Sequence, residues 1–215
     1  YFKIVKTIED DPVFEKAKAS RAIKRYQTLN RFVIGKKVEI IVEDFVNNRM
    51  HWIKGNAKAM VVTSSRKHAV RYKLAIDEDI KDKGYKVKTL VAFSGVVDDE
   101  GKEYSEREMN HFGEKELPEK FATDEYNILL VADKYQTGYD EPLLSAMYVD
   151  KKLTDVRAVQ TLSRLNRICK DKKQTFILDF VNDTEVIKKS FAEYYENAVI
   201  EKITDPNEIY DYEKK

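Results

Sequence analysis

The chain of 215 residues has a single cysteine, Cys169, so it carries no internal disulfide framework and no cysteine-rich zinc site; a reducing compartment is the natural default. Its three histidines, His51, His68 and His111, are too scattered to form a metal cluster. No run approaches the roughly twenty apolar residues that a bilayer span needs. The opening Tyr1-Phe2-Lys3-Ile4 shows no secretory h-region, and the start at Tyr1 rather than Met fits an excised segment. Only seven glycines occur, and none begins the Gly-x-x-x-x-Gly-Lys-Ser/Thr loop that cradles a nucleotide phosphate. Gly35-Lys36-Lys37 and Gly101-Lys102-Glu103 both lack the hydroxyl that would hold magnesium. Asp77-Glu78-Asp79 falls mid-helix instead of after a strand, unlike an acidic ATPase box. Paired His or Cys nucleophiles are missing too, and Glu39 and Glu43 lie on a helix, away from any nuclease-like strand set.

What is present is a globular composition, with 42% apolar, 36% charged and 11% aromatic residues, which excludes a disordered tail. The net charge of +1 conceals segregation. Residues 1–55 carry 12 Lys/Arg against 7 Asp/Glu, residues 150–173 carry 8 against 3, and residues 95–126 carry 4 against 11. A polyanion can therefore meet a basic face although the total is near zero; a solvated surface gives the same pattern.

Residues 11–34 read as a helix, capped by Asp10 or Asp11, with Pro12 in its first turn and Gly35 as its stop. A second helix spans about 36–53, where Val38, Ile41, Val42, Phe45 and Val46 step by three and four. Together residues 1–55 form a helical element packed on a larger body, 56–200, with 201–215 as an extension. The larger body opens on Ala59-Met60-Val61-Val62, a short unalternated apolar run of the kind buried on both faces of a sheet. Ser64 and Ser65 start a helix that Gly84 closes. Further strands are predicted at 87–93, 127–132, 146–149 and 175–179, with helices at 154–167 and from Asp183 or Thr184 to about Asn197. An acidic insertion lies between, with a capping box at Ser105–Glu108. Strands alternating with helices mean an α/β fold, a mostly parallel sheet covered on both faces, with ligands at the carboxyl ends of its strands.

Three segments carry chemistry. Thr63-Ser64-Ser65-Arg66 offers hydroxyls, helix-start amides and a guanidinium, suited to a phosphate, although Ser and Thr cap helices routinely. In Thr137-Gly138-Tyr139-Asp140-Glu141-Pro142, Gly138 permits close approach to a ligand and Asp140 can accept from a sugar hydroxyl or an arginine; an ordinary Gly/Pro turn reads the same. On the helix at 154–167, Gln160, Arg164 and Arg167 share a narrow arc opposite Ala158, Val159, Leu162 and Leu165. Burying the apolar side turns both guanidiniums outward, toward a polyphosphate or simply toward solvent.

In this order the segments resemble motifs IV, V and VI of superfamily 2 helicases. Gln160, Arg164 and Arg167 match the Gln-Arg-x-Gly-Arg-x-Gly-Arg pattern of motif VI, while Thr161, Ser163 and Asn166 depart from it. The wording Thr-Gly-Tyr-Asp-Glu-Pro-Leu-Leu with Ser-Arg-Leu-Asn-Arg is similar to the motor subunit of type I restriction enzymes. The resemblance covers about residues 56–182. It implies the second RecA-like lobe of a cytoplasmic double-stranded DNA translocase, a P-loop-type lobe without its own P-loop. ATP and Mg2+ would be bound mainly by the preceding lobe. Arg164 and Arg167 would be catalytic fingers, Gln160, Gly138 and Asp140 would border the ATP, and Thr63, Ser64, Ser65, Arg66 and Thr137 would touch DNA. Implied partners are double-stranded DNA, the first lobe and nuclease domain of the same subunit, and the modification and specificity subunits. The alternatives are the C-terminal lobe of another superfamily 2 helicase and a non-catalytic α/β module for a phosphorylated ligand.

Overall fold

The computed structural model describes residues 26–135 and 138–195, together with Ser20 and Ile23. Most of the helix predicted at 11–34, the basic residues Lys16, Lys18, Arg21, Lys24 and Arg25, and the segment 201–215 lie outside the described residues.

The first full helix, α1 (Arg31–Asp44), runs through Gly35, contrary to the expectation that this glycine ends a helix. The break falls earlier, where the Asn30 side chain accepts from the Phe32 amide at 2.9 Å and caps the new helix. A side-chain cap at an extended residue outweighs the modest helix penalty of one interior glycine. Ile34, Val38, Ile41 and Val42 form the buried stripe, and the helix passes into a π-turn at Phe45–Arg49. That turn brings Arg49 back onto Asp44 (3.0 Å), whose other oxygen accepts from the Tyr148 hydroxyl at 2.8 Å.

The body is built from β1 (Lys58–Thr63), α2 (Arg66–Lys83), β2 (Thr89–Ala92), a hairpin of β3 (Val96–Asp99) and β4 (Lys102–Ser105), and the short helices α3 (Glu106–Asn110) and α4 (Leu117–Ala122). There follow β5 (Ile128–Val131), β6 (Leu144–Asp150), α5 (Asp155–Leu162), β7 (Phe176–Asp179) and α6 (Thr184–Tyr195). The central sheet has the order β2-β5-β1-β6-β7, and every pairing in it is parallel. Period-two alternation splits its residues between two cores. Ala59, Val61, Ile128, Leu130, Ala146 and Tyr148 face α1 and α2; Met60, Val62, Leu129, Val131, Met147 and Val149 face α4 and α5. Thus α1 shares a core with the sheet instead of standing beside it.

Sheet edges are finished by side chains. Asn110 on α3 receives the Val91 amide (3.0 Å) and donates to the Val91 carbonyl (2.8 Å), acting as a one-residue strand beside β2. Asp150, buried at the end of β6, accepts from Lys37 on α1 and Tyr72 on α2, each at 2.6 Å, tying both helices to the sheet. Ser65 caps α2, and Gly84 ends it in the left-handed conformation (φ 67°). The capping box at Ser105 and Glu108 is present. The hairpin was not predicted; its turn runs through Glu100 and Gly101, both with positive φ.

The hairpin is held to α2 by Asp99, which accepts from Arg71 through both oxygens at 2.7 Å. These hydrogen bonds hold the Asp99 carboxyl below its ordinary range. A depressed folded value means that its stabilisation is complete above the unfolded value of about 4 and disappears as pH falls through the folded one. Replacement by Asn should therefore flatten the loss of stability as pH falls below about 4 in urea titrations. Equal acid slopes for the variant and the parent protein would contradict this.

Candidate functional site

The described residues between Ala132 and Leu143 form no helix, yet this segment must carry the chain from the carboxyl end of β5 to the amino end of β6, crossing β1. Left-handed residues make the path possible: Asp133 (φ 59°), Tyr135 (φ 63°) and Gly138 (φ 73°). For Asp133 and Tyr135 that conformation costs of order 1–3 kcal/mol each. Anchors offset it. Lys134 donates to Glu106 at 2.9 Å and Glu114 at 2.8 Å. Tyr139 is buried against Tyr135 and Phe121, with ring centroids at 4.9 and 6.4 Å. Glu141 is buried too; desolvation raises its carboxyl, and it accepts from the Leu143 amide at 3.0 Å. Tyr139 and Asp140 are thereby fixed next to each other, with the ring inside and the carboxylate out.

The arginine segment differs from its prediction in one respect. Helix α5 ends at Leu162, residues Ser163–Asn166 form a 3-10 turn, and Arg167 is extended (φ −75°, ψ 130°). Tightening into 3-10 geometry is common at a helix C-terminus, where the last carbonyls lose their helical partners. Arg164 and Arg167 therefore do not share one rigid rod. They converge nonetheless. Arg164 donates through Nη1 to the Tyr139 carbonyl at 2.7 Å, and Arg167 Nε lies 2.9 Å from Asp140 Oδ1. Gln160 is exposed on the last turn of α5, while Ala158, Val159, Leu162 and Leu165 are buried, as the arc requires. Burial acts first to lower the Arg164 pKa; the Arg167 charge lowers it further, and Asp140 opposes both. Two guanidiniums thus bear on one carboxylate that is 64% exposed, which leaves the corner able to accept a further anion.

This corner is not at the carboxyl ends of the strands, where ligands were expected. Lys172 joins the carbonyls of Leu165 and Leu144, so the arginine turn lies at the amino end of β6. At the carboxyl ends stands the other predicted segment. Thr63 is fully buried and donates to the Val131 carbonyl at 3.0 Å, so its hydroxyl serves the β1–β5 junction and is withheld from any phosphate. Ser65 caps α2, Ser64 is exposed, and exposed Arg66 donates to the Ser94 carbonyl at 2.8 Å. Thr137 lies outside the described residues. The predicted residues that are described therefore fall into two groups, one at each end of the sheet. Tyr139, Lys134 and Lys172 went unnoticed in the sequence, because an aromatic in a turn and lysines in charged runs carry no spacing signal.

The model for type I restriction enzyme subunit R domain 3 matches residues 101–182, which span the crossing loop and the arginine turn. Over these residues the chain is similar to type I restriction enzyme R subunits. Relatives include the putative type I restriction enzyme MjaVIIP endonuclease subunit of Methanocaldococcus jannaschii, 32% identical over 88% of this chain and 19% of that protein. Another is the HindI endonuclease subunit of Haemophilus influenzae, 26% identical over 72% of this chain and 16% of that protein. The chain thus spans about a fifth of the first of these and less of the second. Among solved structures, domain 2 of the Mss116p DEAD-box helicase bound to an RNA duplex is similar at 17% identity and a TM-score of 0.49, over 83% of this chain and 62% of that one. The C-terminal domain of the DEAD-box protein Dbp5 gives 15% and 0.44, over 75% and 79%. These structural likenesses are loose and add nothing to that similarity. No helix among the described residues is long and apolar enough to cross a membrane, and no His/Cys/Asp/Glu group among them is arranged to hold a metal ion.

An ion pair as exposed as Arg167–Asp140 contributes little to folding. Asp140→Ala should leave unfolding stability within about 0.5 kcal/mol of the parent in urea melts. A loss beyond about 1.5 kcal/mol would show that the corner is a structural clamp and not a ligand site.

Proposed function

We propose that this segment is the second motor lobe of an ATP-dependent double-stranded DNA translocase in a type I restriction enzyme R subunit. The observation that carries the proposal is the convergence of Arg164 and Arg167 on the Tyr139–Asp140 corner from a separate element. In this reading Mg-ATP is held mainly by the preceding lobe, since the sequence has no phosphate-cradling loop of its own. The bound nucleotide supplies the phosphoanhydride, whose cleavage spreads negative charge over the γ-phosphoryl oxygens. The corner fits such a group: Arg167 is half-exposed and, among the described residues, pairs with a still more accessible carboxylate, so it can exchange Asp140 for a phosphate at small cost. Arg164 is held by a neutral carbonyl, keeps its charge, and adds a second planar fork. Gln160 stands one turn earlier on the same exposed side, and Gly138 and Asp140 border the nucleotide.

At the opposite end of the sheet, Ser64, Ser65 and Arg66 would meet the DNA backbone, and Thr137 is assigned the same partner from the sequence resemblance alone. Thr63, with its hydroxyl turned inward, supports that loop instead of touching DNA. Separating the arginine corner from the phosphate loop by the length of the sheet suits a motor, because lobe closure at one end can be read at the other. The full subunit would be the ATP-dependent site-specific deoxyribonuclease, cytoplasmic, working with its first lobe and nuclease domain and with the modification and specificity subunits.

The purified segment alone should hydrolyse no ATP measurably, with or without DNA. In the intact subunit, Arg167→Ala or Arg164→Ala should reduce DNA-stimulated hydrolysis by about 10³–10⁵-fold, or about 4–7 kcal/mol of barrier, while DNA binding persists. Near-normal turnover in either variant would remove that residue from the finger role, and robust ATPase activity of the segment alone would overturn the divided-site reading.

A further inference from the structure

Lys172 occupies a position that the proposed chemistry does not use. Its ammonium donates to four backbone carbonyls: Pro142 at 3.1 Å, Leu144 at 2.7 Å, Leu165 at 2.7 Å and Arg167 at 3.0 Å. The first two end the crossing loop that presents Asp140, and the last two belong to the turn that presents Arg164 and Arg167. An ammonium has three protons, so four acceptors at these distances enclose it as carbonyls enclose a cation. The chain is folded to place it there: Asp171 is left-handed (φ 68°), and the Lys172 amide donates to the Cys169 carbonyl at 3.2 Å, which turns the side chain back under the arginine segment. Burial pushes the ammonium below the ordinary lysine range, opposed by the neighbouring Cys169 and Glu141. Held there as a cation, Lys172 forms hydrogen bonds of the charge-assisted kind, stronger than neutral ones. The carbonyls of Leu165 and Arg167 are those that a continuing helix would have satisfied.

We infer that Lys172 is a positioning residue that locks the loop carrying Asp140 to the turn carrying the two arginines, and so sets where the guanidiniums meet a phosphate. The inference rests on the finger reading given above. Without the ammonium, two pairs of carbonyls would face one another and repel, and the arginine turn would drift relative to Asp140. A misplacement of about an ångström costs on the order of 10²-fold in rate.

The test is made in the intact subunit, with Lys172→Ala measured beside Arg167→Ala. Lys172→Ala should lower kcat for DNA-stimulated ATP hydrolysis by about 10–100-fold, change KM for ATP less than about threefold, and regain part of kcat when ethylammonium fills the space left by the truncated side chain. If Lys172→Ala does not fold, Lys172→Gly takes its place with the same expected split and the same response to the amine. Wild-type kcat in either folded variant, or a loss of kcat that ethylammonium does not relieve and that parallels loss of thermal stability, would overturn the positioning role. Retained turnover in Arg167→Ala would instead overturn the finger reading itself, whatever Lys172 does.

Discussion

The structure depends on one connection whose described residues form no helix. Between β5 and β6 the chain crosses β1 along residues 132–143, a journey that parallel sheets ordinarily cover with a helical crossover. Backbone groups on such a path need partners from elsewhere, and three strained or left-handed residues are needed to bend it. Tyr139 supplies an apolar anchor, Lys134 an ionic one, and Lys172 a set of hydrogen bonds at the far end. What emerges is a short exposed stretch, Gly138 and Asp140, whose position is set by buried neighbours on either side. A mobile loop would not hold a carboxylate against an arginine on another element.

The same anchoring explains why the arginine segment need not be a long helix. A rod would place Arg164 and Arg167 by its own periodicity. Here α5 stops after Leu162, and the two guanidiniums are placed by what they touch: a carbonyl at Tyr139 and a carboxylate at Asp140. The exposed Arg167 pair is weak enough to be exchanged, while Arg164 is held by a charge-assisted bond. Against a neutral carbonyl Arg164 retains its full charge, and against an exposed carboxylate Arg167 gains little net stability. A preorganised cationic corner with a replaceable partner is what electrostatic stabilisation of a developing phosphoryl charge requires.

Much of the fold could be read from periodicity, because the strongest signals were also the most buried. Ala59 to Val62 and Ile128 to Val131 form uninterrupted apolar runs and proved to be central strands with both faces covered. Ser65 and Gly84 bound their helix as their chemistry demands. The failures share a cause, which is tertiary or side-chain competition with a local rule. Gly35 stayed helical because Asn30 supplied a better boundary. The hairpin hid behind a Glu100-Gly101 turn, whose first residue lacks the usual Asn or Asp signature. Thr63 looked like a phosphate ligand because its hydroxyl type was visible, whereas its burial was not. Among the candidate residues, the pattern singled out Arg164, Arg167 and Asp140, and the structure brings them together at one corner. Their placement at the amino end of β6, and the role of Lys172 in it, required the path of the crossing loop.

The central claim is that the cationic corner awaits a phosphate carried by a neighbouring lobe. The most direct measurement is the surrounding of Arg167 in a structure of the intact subunit with DNA and a non-hydrolysable ATP analogue. The account predicts that the guanidinium leaves Asp140 and comes within hydrogen-bond distance, about 2.9 Å, of a γ-phosphate oxygen. A closed nucleotide-bound subunit in which Arg167 still pairs with Asp140, with no phosphate oxygen in reach of either arginine, would contradict it.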